Sequence, residues 1–280
     1  MSADVPGPVP PPRAAPVLDP DTFDRRTQGR PLVALLDLDG TLAPIAPRPE
    51  DARVPATTRD ALARLTHAPG VQVAFVTGRS AADGARLAGV PRTWVVGNHG
   101  AETVDPDGSC HVAPEVAAWA EPLARAADLL QRAAERVPGA RLEDKRWSLS
   151  LHLRLADPTR AAELEHAAES AAAAEGLRLG RGKAVLELRA PVHVDKGTAA
   201  VALVRRLVPG PVPPALVVMG DDVTDEDAFR RVAAAFPQTL TVRVGAPDHP
   251  TAAAYTVPDV ATAADFLVRL AARASGDAPR

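Results

Sequence analysis

Two aspartates separated by one residue, Asp37 and Asp39, stand in the stretch DLDGTL directly after an apolar run. In an extended chain, residues two apart point to the same side, and the Gly and Thr that follow turn the chain sharply. Such a pair suits phosphoryl transfer. Asp37 can supply both an oxygen ligand for a hard cation such as Mg²⁺ and the attacking oxygen, while Asp39 can protonate a leaving alkoxide and then activate water. A second acidic stretch, GDDVTDED from Gly220 to Asp227, also follows an apolar run and carries Asp221, Asp222, Asp225, Glu226 and Asp227. Like charges crowded this closely need a cation beside them, and the part that begins a helix is tolerated at its N-terminus.

Two further groups fit an anionic ligand. Thr77-Gly78-Arg79 closes another apolar run, where a hydroxyl and backbone N–H groups at a strand-to-helix turn can hold phosphate oxygens. Lys196, in Asp195-Lys196-Gly197, opens a helical stretch and can neutralise phosphate and a carboxylate together. Of 32 basic residues only Lys145, Lys183 and Lys196 are lysine. Lysine is a compact point charge where arginine is a planar fork, so each departure from the chain's habit marks a position of interest.

The elements that must hold these groups follow from hydropathy. Residues 31–37, 71–79, 93–100, 215–222 and 239–245 are short apolar runs, three of them ending in the acids or the threonine named above. Such runs predict strands buried on both faces of a parallel sheet. Helical stretches at 56–68, 80–88, 196–208, 225–235 and 261–272 lie between or after them. The alternation predicts a doubly wound α/β sheet whose ligand site lies beyond the carboxyl ends of the strands. The middle third differs, with alanine-rich helix candidates at 115–137 and 158–174. Residues 147–155 and 183–189 alternate apolar and polar, the mark of half-exposed strands, and 141–144 is a candidate neighbour. The expected domains are therefore a core of 29–106 and 191–275 and an inserted α+β cap of 107–190. Residues 1–28 carry seven prolines in their first 20 positions without apolar periodicity and read as a disordered tail.

Composition narrows the class. The 280 residues are 46% apolar and 24% charged, with a net charge of -3, the balance of a soluble globular protein. No basic excess favours nucleic acid or an anionic membrane, no apolar run approaches a spanning helix, and the N-terminus lacks the pattern of a secretory signal. The single cysteine, Cys110, excludes an internal disulfide framework and makes a reducing cytoplasm the expected location. His111, His152 and His166 lack metal-ligand spacing, and GRGKAV around Lys183 is not a P-loop.

The order DxDGT, Thr, Lys, GDD resembles the haloacid-dehalogenase-like phosphatase superfamily. The resemblance implies a Rossmann-like core with Asp37 as nucleophile, Asp39 as general acid and base, and Thr77 and Lys196 on phosphate, with Gly78 and Arg79 in the same loop. It implies Mg²⁺ held by the Asp37 carboxylate, the Asp39 carbonyl and Asp221, with Asp222 and Asp225 ligating through water or orienting the ligands. The insertion falls where that superfamily places its larger type of cap. There, EDKR at 143–146, SLSLHLR at 148–154 and GKAVLELR at 182–189, with GNHGAE at 97–102, resemble the trehalose-6-phosphate phosphatase family over residues 32–270. The implied activity is Mg²⁺-dependent hydrolysis of trehalose 6-phosphate through an aspartyl-phosphate, the last step of trehalose biosynthesis, with Glu143, Lys145, Arg154, Lys183 and Glu187 binding glucose.

The residues themselves agree, because charged donors and acceptors on one strand face suit a polyhydroxylated ligand. Asn98 and His99 close the third core strand; His99 is read either as a contact to substrate or phosphate or as a turn stabiliser. The alternative activity is another sugar-phosphate phosphatase or a phosphomutase of the same superfamily. The expected partners are the small-molecule substrate and transient contact with a trehalose-phosphate synthase, with no nucleic acid, no membrane and a monomeric chain.

Overall fold

The structure is a computed structural model that describes residues 14–29, 31–182, 184–211 and 213–276. Its elements begin with α1 (Pro20–Arg26), β1 (Leu32–Leu36), α2 (Ala56–His67), β2 (Val71–Val76), α3 (Ala81–Ala88), β3 (Trp94–Gly97), β4 (Glu102–Val104) and β5 (Cys110–Val112). There follow α4 (Pro114–Ala117), α5 (Ala120–Arg136), β6 (Arg141–Asp144), β7 (Ser148–His152), α6 (Ala161–Glu175), β8 (Arg178–Gly182) and β9 (Val185–Arg189). Last come α7 (Lys196–Leu207), β10 (Ala215–Gly220), α8 (Val223–Ala235), β11 (Leu240–Val244), β12 (Tyr255–Val257) and α9 (Val260–Ala274). The described residues form two compact units, one running to Cys110 and resuming at Asp195, the other spanning His111–Val194. No described helix is long and apolar enough to cross a membrane.

The first unit is a doubly wound α/β sheet, as the alternating pattern predicts. Strand order is β12-β11-β10-β1-β2-β3, parallel throughout, continued by antiparallel β4 and then β5. All five residues of β1 are buried. Leu32, Ala34 and Leu36 join one core with Leu62 and Leu65 of α2 and Leu267 and Leu270 of α9. Val33 and Leu35 join the opposite one with Leu203 and Val204 of α7 and Phe229 and Val232 of α8. Helices on both faces are the reason the strand reads as one unbroken apolar run. The chain winds outward from β1 in both directions, so β1 and β10 flank a topological switch point. Leu36 is level with both Met219 of β10 and Phe75 of β2, which ends the three strands together at one edge.

Residues 14–28 overturn the expectation of a disordered tail. Leu18 donates to the Thr256 carbonyl and Thr256 donates to that of Pro16, which covers the outer edge of β12. Asp19 then caps α1 by accepting from the Thr22 N–H. Phe23 is fully buried, its ring centroid 4.8 Å from that of Phe266. Hydrogen bonds from Arg269 and Arg273 hold the Asp24 carboxyl below the usual range. A helix this short makes too few turns to show a period in the sequence. Residues 1–13 lie outside the described residues.

In the second unit an antiparallel sheet, β6-β7-β9-β8, carries α5 and α6 on one face. Leu149, Leu151, Leu186 and Leu188 point into that core with Leu123 and Leu130 of α5 and Leu164 of α6. The expected helix at 115–137 is broken between α4 and α5, where Trp119 has φ -102° and ψ 11°. The strand expected to reach residue 155 ends at His152, because the chain turns there and Ala156 donates to the Leu153 carbonyl.

Candidate active site

Asp37 follows β1 directly and Asp221 follows β10 directly, so two neighbouring parallel strands bring distant acids to the same sheet edge. The Asp37 N–H donates to the Met219 carbonyl at 2.9 Å, extending the ladder by one residue. Gly40, at φ +79°, lets the loop after β1 pass the Asp221 carboxylate, with which any Cβ at that position would collide. Carboxylate oxygens of Asp37, Asp221 and Asp225 lie within 4.8 Å of one another. Thr41, also buried, donates to Asp221 Oδ1 at 3.5 Å.

Lys196 supplies the counter-charge. It is the first residue of α7, held by a capping box between Asp195 and Thr198, and it is 2% exposed. Its Nζ donates to Asp37 Oδ1 at 2.8 Å and to Asp225 Oδ1 at 2.9 Å. Burial works against the ammonium, yet Asp225 and Asp37 outweigh it and hold Lys196 well above its ordinary pKa. One ammonium does not balance the crowd of acids. Burial pushes the Asp37 carboxyl up to about 7, against the pull of Lys196 and with the repulsion of Asp222 and Asp221. Burial, followed by Asp222 and Asp225, pushes Asp221 up to about 7 as well.

A cluster of oxygen donors that holds protons so tenaciously is well matched to a small divalent cation, which would displace them. Within it the acids divide by geometry. Asp225 Oδ1 is taken by Lys196, and its Oδ2 accepts from the N–H groups of Asp221 at 3.1 Å and Asp222 at 3.2 Å. Asp225 therefore fixes the turn that presents Asp221, and Asp37 and Asp221 are the carboxylates best placed to hold Mg²⁺. Asp222, expected to ligate through water or to orient the ligands, is the N-cap of α8. Its Oδ1 accepts from the Thr224 N–H at 2.8 Å, the Thr224 hydroxyl at 2.7 Å and the Asp225 N–H at 3.1 Å, satisfying the start of the helix.

The loops after β2 and β3 are laced together beside this cluster. The N–H of Asn98 donates to the Arg79 carbonyl at 2.7 Å and that of His99 to the Thr77 carbonyl at 3.1 Å. The His99 ring packs against Gly78, where a Cβ would force the ring to shift. Asn98 and His99 both occupy the left-handed region, at φ 50° and 54°, the kind of strain that gathers at functional sites. Glu102 helps secure them, its Oε1 accepting from Asn98 Nδ2 and from the Ala81 N–H, each at 2.8 Å. Thr77 is buried and its hydroxyl oxygen accepts from the Arg79 N–H at 3.2 Å. Arg79, expected on phosphate, binds Asp39 instead, with Nε at 2.6 Å from Oδ2 and Nη2 at 2.8 Å from Oδ1.

In the second unit, Glu143, Ser150, Glu187 and Gly180 are in register across β6, β7, β9 and β8, on the sheet face opposite the helices. Glu143 Oε2 lies 2.8 Å from His152 Nε2. Burial raises the Glu143 carboxyl, but His152 and Lys145 outweigh it and hold it below the usual range. Glu187 sits between Lys145 Nζ at 3.7 Å and Arg189 Nε at 3.2 Å. Lys145 reaches it from the turn after β6, where its N–H donates to the Ser148 carbonyl. Arg154, expected on the same strand face, lies exposed in the turn beyond β7, since the strand ends two residues earlier. Lys183 lies outside the described residues. Ser150, His152 and Arg189 complete this polar face and had no ligand-binding role assigned from sequence; the period-two alternation of β7 and β9 is the signal that finds them. Thr41 and Glu102 stood inside quoted motifs without an assigned task.

A doubly wound sheet that gathers paired aspartates, a threonine, a lysine and a second acidic turn at one edge defines the haloacid-dehalogenase-like class. Comparison with known proteins goes further. The model of the family described as trehalose-phosphatase matches residues 35–261. The trehalose-phosphate phosphatase of Mycobacterium avium (strain 104) is 37% identical over 249 residues, which cover 87% of this chain and 63% of that protein. This chain thus spans about 63% of the length of that curated relative. A crystal structure of a trehalose-6-phosphate phosphatase related protein superposes with a TM-score of 0.76 at 26% identity, covering 88% of this chain and 100% of that one. The C-terminal domain of the C. albicans trehalose-6-phosphate phosphatase shares the fold, with a TM-score of 0.74 at 24% identity over 92% of this chain and 98% of that one. The chain belongs to the trehalose-phosphatase family.

Proposed function

We propose that this chain hydrolyses trehalose 6-phosphate to trehalose and phosphate, with Mg²⁺ as cofactor. The observation that carries the reading is Asp37, buried at the sheet edge with Lys196 on one oxygen and Asp221 beside it, in a chain of this family. Asp37 and Asp221 would hold the ion, and when bound it supplies charge stabilisation at the phosphoryl oxygens.

Asp37 attacks phosphorus with a carboxylate oxygen, and the bond from phosphorus to the sugar oxygen breaks. Asp39 gives its proton to that oxygen, so trehalose leaves as an alcohol. Lys196 remains charged beside the reacting carboxylate and offsets the phosphoryl charge. Water then attacks phosphorus, Asp39 takes its proton, and the bond between Asp37 and phosphorus breaks to release phosphate. Thr77 and the N–H groups of the loop after β2 stand at the same edge for the phosphoryl oxygens. The polar row of Glu143, Ser150 and Glu187, with Lys145 and Arg154 in the same unit, supplies donors and acceptors for sugar hydroxyls, and Lys183 is assigned to the same task from the sequence motif alone.

The direct test is phosphate release from trehalose 6-phosphate, glucose 6-phosphate and sucrose 6-phosphate, each with Mg²⁺ and with EDTA. A Mg²⁺-dependent preference for trehalose 6-phosphate is expected. Preference for another sugar phosphate would discard the substrate and keep the chemistry, and formation of an isomeric sugar phosphate would identify a mutase.

A further inference from the structure

Arg79 is 6% exposed, and its guanidinium is committed within the protein. Nε and Nη2 bind both oxygens of Asp39, Nη1 donates to Asp83 Oδ2 at 2.5 Å, and Nη2 also donates to the Pro49 carbonyl at 2.8 Å. Asp83 is itself held from outside by Arg86 Nε at 3.1 Å and by its own N–H to Ser80 Oγ at 3.2 Å. The Arg79 backbone is pinned on both sides, by Thr77 Oγ1 and by the Asn98 N–H. Its partner is freer: the Asp39 side chain is 33% exposed against 7% for Arg79. The pair is a buried fork gripping a part-exposed carboxylate.

From this geometry we infer that Arg79 is a positioning residue for Asp39, which it holds in one rotamer in the resting protein and from which the carboxylate must turn to reach the leaving oxygen. The inference rests on the proposed role of Asp39 as acid and base. While both oxygens of Asp39 accept from the fork, the carboxylate is held against Arg79 rather than delivered to the leaving sugar oxygen. Rotation of the carboxylate frees one oxygen and leaves the other within reach of the guanidinium. Asp83 and the Pro49 carbonyl keep Arg79 in place while this happens, so the carboxylate returns to the same position for the second proton transfer. A bidentate fork sets orientation as well as charge, which a lysine cannot reproduce.

The test separates leaving groups. Trehalose 6-phosphate and glucose 6-phosphate expel sugar alkoxides that need a proton, whereas p-nitrophenyl phosphate releases a stable phenolate. kcat/KM reports the steps through departure of the leaving group and is blind to the later hydrolysis of the aspartyl-phosphate. Arg79→Met is expected to lower kcat/KM about 100-fold for the alkyl phosphates and only about 5-fold for the aryl phosphate, within the range of lost general-acid catalysis. Arg79→Lys should recover part of the alkyl loss, and Asp83→Asn, which loosens the fork without removing it, should show the same split at smaller size. Inhibition by inorganic phosphate should stay near the wild-type value in all three. Equal losses on both substrate classes with weakened phosphate inhibition would make Arg79 a phosphate ligand. Equal losses that track a fall in Tm would make it structural, and either result overturns the inference. If the wild-type chain prefers glucose 6-phosphate, the substrate reading fails alone and the split is read on that alkyl phosphate.

Discussion

Lys196 and Asp37 meet across 2.8 Å in a place where both side chains are nearly sealed from solvent, 2% and 6% exposed. One residue begins a helix and the other directly follows a strand, and the fold of the first unit is what makes them neighbours. The contact has energetic consequences that differ for its two ends. Removing the ammonium leaves buried carboxylates without compensation. Removing the carboxylate charge leaves Lys196 still paired with Asp225.

Asp37→Asn is accordingly expected to keep the fold, with a Tm within a few degrees of wild type, and to lose phosphate release by more than about 1000-fold, since it removes the nucleophile. Lys196→Met is expected to cost about 3 kcal/mol of stability, as breaking a buried ion pair does, together with most of the activity. Thermal melts beside a metal-replete phosphate assay check both. A stable Lys196→Met protein would show that the acids are compensated from elsewhere.

Asp37 and Asp221 predict a pH dependence of metal binding. Both carboxyls sit near 7 in the folded, metal-free chain, against about 4 when unfolded. Between these values the folded state binds more protons than the unfolded one, so stability contributed by this cluster falls as pH rises from about 4 to 7 and then levels. Mg²⁺ competes with those protons. The rise in Tm on saturation with Mg²⁺ should therefore be larger at pH 8 than at pH 5.5, read by thermal melts without any substrate. An equal rise at both values would argue that the ion binds elsewhere.

On the second unit, Glu187 lies between Lys145 and Arg189. Glu187→Gln keeps the shape and removes the charge that holds both cations. The expected outcome is a loss of about 10-fold or more in kcat/KM for trehalose 6-phosphate, against little change for p-nitrophenyl phosphate, which has no sugar hydroxyls to recognise. Equal losses on the two substrates would make the row a structural feature of the sheet.

Phe23 anchors the segment ahead of β1 through its contact with Phe266. Phe23→Ala is expected to destabilise the protein by about 3 kcal/mol by emptying a fully buried site, with kcat unchanged in folded protein. Denaturant unfolding of the two chains gives the number. A loss near zero would mean the segment is dispensable.

Much of the core was legible because its signals are local. A strand buried on both faces must be apolar throughout; β1 and β10 carry no polar side chain, and β2 carries one, the half-buried Gln72. The acids and the threonine stand directly after those strands, so their positions in the chain also mark the edge of the sheet. Other features were hidden because their signals are weak or remote. The seven residues of α1 cannot display a helical period, and the contact that stabilises them comes from α9 at the far end of the chain. Arg154 looked like a strand residue because alternation continues in the sequence beyond the point where pairing stops.

The amino-acid sequence alone determined the doubly wound architecture and the chemical kinds at its edge, because burial on two faces and the need for oxygen, hydroxyl and ammonium groups dictate residue types directly. Tertiary structure decided how those groups divide the work. Asp221, Asp222 and Asp225 are the same residue within one short stretch, and only their distances to Lys196 and to the start of α8 make one a candidate ligand, one a cap and one a brace. Arg79 is an arginine at a phosphate-type turn until the fold brings Asp39 and Asp83 to its guanidinium. Residue type sets what a side chain is able to bind; the partners that reach it through space determine what it does bind.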